Sequence, residues 1–204
     1  MTDARYTMGI DLGQTRNYTA MVVMERVWKA ATPQEFIASG TRGYQGEHIY
    51  TLVRTERLSL GTSYPRVVEW VRTVAKEYGD QLATIVIDAT GVGSAVFDAL
   101  QRADLGKARL VGVVITGNQA SAVGRGATVT RAGFYTVSRA ELLTGLQMAV
   151  QSGWFQVDRP KCREWDALRR ELSVLRLEGK SGKQQDDLAF GLALVVWWGV
   201  RAAG

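Results

Sequence analysis

The stretch Ile85-Val86-Ile87-Asp88-Ala89-Thr90-Gly91-Val92-Gly93 constrains this chain most. An apolar run of strand formers ends on one carboxylate, a glycine-rich turn follows, and Ser94 to Leu100 then has the pattern of a helix. A buried parallel strand of an α/β sheet reads this way when it delivers a functional side chain to the sheet's carboxyl edge. Asp88 is that side chain. Two other acidic points, Asp11 near the start and Asp186-Asp187 near the end, can be carried to the same edge by one fold. The expectation is a three-carboxylate metal site.

The rest of the chain supplies the elements such a sheet needs. Tyr6 to Leu12 and Tyr18 to Trp28 are expected strands joined as a hairpin, with Asp11 near the end of the first. Phe36 to Ser39 is a weaker apolar stretch, Gly40 to Gly46 a turn, and His48 to Leu58 a further strand. Pro65 opens a helix whose stripe of Val67, Val68, Val71, Val74, Ala75 and Tyr78 is stopped by Gly79. That helix returns the chain so that Thr84 to Asp88 runs parallel to the first strand, which sets Asp88 beside Asp11. A helix over Val92 to Arg102 and a valine-rich strand over Arg109 to Ile115 follow. Residues 116–136 are glycine-rich and polar, a flexible basic excursion with a short hairpin around Ala127 to Tyr135.

Beyond it, Ser138 caps a helix with Glu141 at the capping-box spacing. Leu142, Leu143, Leu146, Ala149 and Val150 form its apolar face. Trp154 to Val157 is a short strand, and Trp165, Leu168, Leu172 and Leu175 stand at helical spacing as core packing. Arg176 to Gln185 is a flexible link. The last helix opens on Asp186-Asp187 and is apolar nearly all round through Trp198.

Composition narrows the class. With 204 residues, 46% of them hydrophobic, the chain can bury one substantial core, so a single α/β domain is expected. Cys162 is the one cysteine, which excludes an internal disulfide framework, fits a reducing cytosol and reads as a bystander rather than a nucleophile. The start lacks a signal-peptide pattern, and the apolar run Leu188 to Val200 is broken by glycines and shorter than the roughly 20 residues a bilayer span needs. A net charge of +5 permits a polyanionic partner. Arg125, Arg131, Arg139, Arg159, Lys161 and Arg163 gather in one part of the chain, with Lys180 and Lys183 before the terminal acids. His48, the only histidine, stands beside a glycine-rich turn and reads as a surface residue.

Carboxylates held together repel, and hard divalent ions such as Mg2+ or Mn2+ are the natural occupants of an all-oxygen site. Two such ions support phosphodiester hydrolysis by activating water and stabilising the departing oxygen. No Gly-x-Ser-x-Gly elbow competes, and Gly179-Lys180-Ser181 has Val174 where a phosphate-binding loop requires glycine. Carboxylates at a helix start also serve as caps and dipole partners, and that reading of Asp186-Asp187 stays open here.

Several landmarks occur in order: Gly9-Ile10-Asp11-Leu12-Gly13-Gln14-Thr15, Leu58-x-Leu60-Gly61-Thr62-x-Tyr64-Pro65, Ile87 to Gly93, Val137 to Leu143 with Leu146-Gln147, Gln151-Ser152-Gly153, and Gln185-Asp186-Asp187-Leu188-Ala189. Together they resemble the nuclease domain of tailed-phage terminase large subunits, over nearly the whole chain. The resemblance implies a ribonuclease H-like fold, a mixed sheet flanked by helices, that cuts double-stranded DNA with two divalent metal ions, Mg2+ or Mn2+, during genome packaging. It implies Asp11 and Asp88 as metal ligands and the Asp186-Asp187 pair as the third acidic point, with Asp187 the direct ligand and Asp186 beside it. It also implies a terminase ATPase domain, a small terminase subunit and a portal as partners, in the cytoplasm of a bacterial host and away from any membrane. Gln185 departs from the histidine common at that position in the family, and no ATPase domain is read in these residues.

Arg125, Arg131, Arg139 and Lys183 are the expected contacts to the DNA backbone. Rival readings are a Holliday-junction resolvase with similar carboxylates and a catalytically silent DNA-binding or docking module. The Asp11-Leu12-Gly13-Gln14-Thr15 loop also resembles the first phosphate loop of sugar kinases and heat-shock ATPases, whose two-lobed chains are far longer.

Overall fold

The computed structural model describes residues 4–13, 17–38, 46–117, 128–131, 133–175 and 185–202. Strand β1 (Arg5–Asp11) turns into β2 (Ala20–Ala30), and the two pair antiparallel with Asp11 opposite Ala20. A short helix α1 (Pro33–Ala38) occupies the region where only a weak apolar stretch was expected. Its cause is local: Glu35 N–H donates to the Thr32 hydroxyl at 3.3 Å while the Glu35 carboxylate accepts from Thr32 N–H at 2.8 Å, a reciprocal capping box. Strand β3 (Gly46–Arg57) then pairs antiparallel with β2.

Helix α2 (Tyr64–Tyr78) has its proline in the first turn and ends at Gly79, whose φ of 53° suits glycine. It leads into β4 (Leu82–Asp88), parallel to β1 with Ile10 opposite Ile87, so Asp11 and Asp88 leave adjacent strands side by side. Helix α3 (Gly93–Gln101) returns the chain to β5 (Arg109–Thr116), parallel to β4. The expected hairpin is present as β6 (Thr128–Arg131) and β7 (Phe134–Ser138), and β7 adds to the sheet parallel to β5. Helix α4 (Arg139–Gln151) starts at Ser138, whose hydroxyl accepts from Glu141 N–H at 3.1 Å. Then come β8 (Phe155–Val157), parallel to β3, and helices α5 (Trp165–Val174) and α6 (Asp187–Ala202).

Among the described residues the strands form one mixed sheet in the order β6-β7-β5-β4-β1-β2-β3-β8. Side chains alternate across it. Met8, Ile10, Met21, Ile85 and Ile87 pack under α2 and α3, whereas Val22, Val86, Val111 and Val113 pack under α4 and α6. Because Asp11 and Asp88 lie an odd number of residues from Ile10 and Ile87, both carboxylates fall on the α6 face. Helix α6 is buried nearly all round, as its continuous apolar sequence requires. Phe190, Trp197 and Trp198 are core residues at 4%, 7% and 9% exposure; the indole of Trp197 donates to Glu141 and that of Trp198 to Thr84. Ordinary core packing therefore accounts for them. No described helix is long and apolar enough to cross a membrane.

The contact that sets the height of α6 above the sheet is at Gly9. A Cβ there would lie 2.3 Å from the Gly191 carbonyl oxygen and 2.5 Å from a Val195 methyl. On the helix side, a Cβ at Gly191 would lie 3.5 Å from the Gly9 oxygen, an ordinary contact. The two glycines therefore have opposite expected substitution effects. Gly9→Ala forces α6 off the sheet and lowers stability by roughly 1–3 kcal/mol, or several degrees in Tm. Gly191→Ala relieves the glycine cost in a helix interior and raises stability by about 0.5–1 kcal/mol. Thermal denaturation of the two variants checks both signs.

Candidate metal centre

Each acidic residue reaches the sheet edge for a local reason. Asp11 is the last residue of β1 and Asp88 the last of β4. The turn after β4 is shaped around Asp88: Thr90 N–H donates to Asp88 Oδ1 at 2.8 Å, and the Thr90 hydroxyl accepts from Ile115 N–H at 2.8 Å. Gly91 adopts φ 57°, and a Cβ on Gly93 would lie 2.2 Å from the Asp88 carbonyl oxygen, so the helix start can sit against the strand end only as glycine.

The terminal pair divides. Asp186 binds Arg139 Nη2 at 2.9 Å, and that guanidinium lies 4.2 Å over the Phe190 ring. The Asp186 carbonyl accepts from Phe190 N–H, closing the first turn of α6. Asp187 points inward and is 2% exposed. Its Oδ2 is buried without a hydrogen-bond partner, with Arg57 Nη2 at 4.0 Å. A buried carboxylate oxygen without a donor is costly and calls for a partner.

Electrostatics ties the acids into one group. Burial raises the Asp11 pKa well above the carboxylate range, and the charges of Asp88, Asp187 and Asp186 raise it further, against the opposing Arg139. Burial also raises Asp88, opposed by its bonds to Thr90. Asp187 is pushed up to about 6, first by burial, with Arg57 pulling down, Asp186 pushing up, and the amides of Tyr18 and Asp187 itself pulling down. Among the described residues no three His, Cys, Asp or Glu side chains are gathered tightly enough to hold an ion as they stand. The charges of Asp88, Asp187 and Asp186 all act on Asp11, so the four carboxylates share one edge without forming a closed ligand set.

Arg125 and Lys183 lie outside the described residues, and Arg131 ends β6 opposite Phe134. Arg139, expected to reach DNA, is engaged by Asp186. Arg159 lies over Trp165, Lys161 pairs with Asp158 at 2.8 Å and Arg163 with Glu56 at 3.6 Å. His48 is exposed near the start of β3 with its ring 4.9 Å from Trp28. The Cys162 thiol is buried, donates to the Leu52 carbonyl, and is pushed up to about 11 by burial, so it is no thiolate nucleophile.

Two residues of the centre were missed by sequence reasoning. Arg57 ends β3 at the carboxylate edge, and Glu171 on α5 binds it. Glu171 could have been found, since it interrupts the apolar helical stripe of Leu168, Leu172 and Leu175 on its buried side.

No protein-family model matches the sequence, and no curated protein matches it. Solved structures do match. The human cytomegalovirus terminase nuclease domain, Mn soaked, is similar with a TM-score of 0.54 at 10% identity, over 94% of this chain and 81% of that one. The large terminase nuclease of thermophilic phage G20c gives 0.57 at 17% identity, again over 94% and 81%. The large terminase nuclease domain of bacteriophage SPP1, with bound Mn, gives 0.50 at 13% identity, over 97% and 86%. The chain has the ribonuclease H-like fold of these terminase nuclease domains.

The raised Asp187 predicts an unusual pH dependence. Its folded value of about 6 exceeds the ordinary aspartate value of 3.8, so the metal-free folded state binds the extra proton between those limits. Stability in EDTA therefore rises as pH falls from 7 through about 6, with no further gain from this group below the unfolded value. Asp187→Asn should flatten that slope and be more stable than wild type at pH 7 by roughly 1–3 kcal/mol. Thermal melts of both proteins across this range in EDTA check the sign.

Proposed function

We propose that this chain is a divalent-metal-dependent endonuclease that hydrolyses phosphodiester bonds in double-stranded DNA, working as the cutting domain of a phage DNA-packaging terminase. One observation carries the reading: Asp11, Asp88 and Asp187 stand at one edge of a ribonuclease H-like sheet, and Asp187 Oδ2 is buried with no hydrogen-bond donor. The donor set is all carboxylate oxygen, which suits Mg2+ or Mn2+ rather than a softer ion. Mn accompanies two of the similar terminase domains, which supports the choice.

Asp11, Asp88 and Asp187 would hold two such ions, which activate a water and stabilise the departing oxygen when bound. The chain's own residues prepare the site. Thr90 fixes the rotamer of Asp88 through the 2.8 Å bond from its amide. Arg139 pairs with Asp186 and offsets part of the crowded negative charge. The N-terminus of α6 places its partial positive charge behind Asp187. Arg125, Arg131 and Lys183 are proposed contacts to the DNA backbone, which position a duplex without reading its sequence. In this reading the nuclease cuts concatemeric DNA when a head is full, and its partners are the terminase ATPase domain, the small subunit and the portal.

Conversion of supercoiled plasmid to nicked and linear forms tests the proposal. Wild-type protein should cut with Mn2+ or Mg2+ and stop in EDTA, and Asp88→Asn should be inactive while keeping its fold by circular dichroism. Cleavage in EDTA, or equal cleavage by Asp88→Asn, would remove the carboxylate centre from the mechanism.

A further inference from the structure

Glu171 is a charge in an apolar place. It is 5% exposed, on the face of α5 that packs toward α6. A buried carboxylate is costly unless it is paired and hydrogen-bonded, and both of its oxygens are committed. Oε1 accepts from Arg57 Nη2, and Oε2 accepts from Ala189 N–H at 2.8 Å. Ala189 lies in the first turn of α6, where amides lack an intrahelical acceptor, so Glu171 caps α6 from the neighbouring helix. Helix α5 is itself anchored to β3, since Glu164 N–H donates to the buried Thr55 hydroxyl at 2.9 Å.

Arg57 is the consequential partner. Its guanidinium lies 5.1 Å over the Tyr18 ring, and its Nη2 stops 4.0 Å from Asp187 Oδ2. That separation is too long for a hydrogen bond. About one ångström of further approach would convert it into a charge-assisted bond, among the strongest a carboxylate can accept. Yet Asp187 Oδ2 has no donor at all. The Nη2 that binds Glu171 Oε1 is the same nitrogen that faces Asp187 Oδ2, and among the described residues Asp187 is the other carboxylate within ion-pair distance of Arg57.

We propose that Glu171 is a positioning residue of the carboxylate centre: by binding Arg57 it prevents the guanidinium from closing on Asp187, and so leaves Oδ2 available to a divalent cation. The proposal rests on the nuclease reading for the cation. Loss of the Glu171 charge lets Arg57 close on Asp187, where it competes with the metal.

The test uses Glu171→Gln, which keeps an acceptor for Ala189 N–H, and the double variant Glu171→Gln with Arg57→Gln. Mn2+ affinity, read by electron paramagnetic resonance of the free ion, should weaken about tenfold in the single variant and recover most of that loss in the double. A metal-free crystal structure of Glu171→Gln should place Arg57 within hydrogen-bond distance of Asp187. Wild-type affinity in the single variant overturns the assignment. So does weaker binding by the double than by the single, which is the order a merely structural role gives. Faster amide exchange at Ala189 in Glu171→Gln would trace the loss to the helix cap and also overturn it. Wild-type protein that takes up no Mn2+ would overturn the nuclease reading instead. The crystal contact then still decides the role of Glu171: closure on Asp187 supports it, and a guanidinium left in place overturns it.

Discussion

Helix α6 lies directly on strand β1 because Gly9 has no side chain, and the carboxylate centre depends on that contact. The Gly191 carbonyl occupies the space a Cβ on Gly9 would need. Two residues along β1 stands Asp11, and four residues back along α6 stands Asp187. The approach of backbone to backbone at Gly9 therefore sets how near the two acids come. The parallel pairing of β1 with β4 adds Asp88, since Ile10 opposite Ile87 leaves the next residue on each strand side by side. The sheet and one helix-on-strand contact thus bring the acids to one edge, and among the described residues the Thr90 turn and the Tyr18 amide add to it from loops.

The cost of this arrangement is electrostatic. Burial and mutual repulsion raise Asp11, Asp88 and Asp187 together, so the metal-free protein carries destabilised charge at neutral pH. Arginine partners offset part of it without closing the site. Arg139 takes Asp186 outright, while Arg57 stays 4.0 Å from Asp187. The two adjacent aspartates consequently have different work: one anchors the start of α6 to the start of α4, and the other presents an unpartnered oxygen to the centre.

Much of this was legible in the sequence because it rests on strong local signals. The run Ile85 to Ile87 ending on Asp88 fixed a central strand and its direction, Pro65 and Gly79 bounded the crossover helix, and Ser138 with Glu141 marked the start of α4. The capping box of Thr32 and Glu35 carried the same kind of signal for α1, but its helix is too short for an apolar stripe to confirm it. Pattern alone left the division between Asp186 and Asp187 open, since both capping and ligation place acids at a helix start, and only the resemblance singled out Asp187. In the structure Arg139 engages Asp186 while Asp187 is buried beside Arg57. Arg57 and Glu171 were hidden for a related reason: their pairing spans β3 and α5, far apart in the chain, and neither belongs to a local motif. The place of Glu171 on an apolar stripe was the one available hint.

Asp11, Asp88 and Asp187 are proposed to form one divalent-cation site. Anomalous diffraction from crystals soaked in Mn2+ tests it most directly, because it locates the ion without relying on activity. Mn2+ density is expected within about 2.5 Å of oxygens from all three carboxylates, with Asp187 Oδ2 among the ligands. Ordered Mn2+ bound elsewhere, with the Asp11, Asp88 and Asp187 oxygens left uncoordinated at saturating ion, would contradict it.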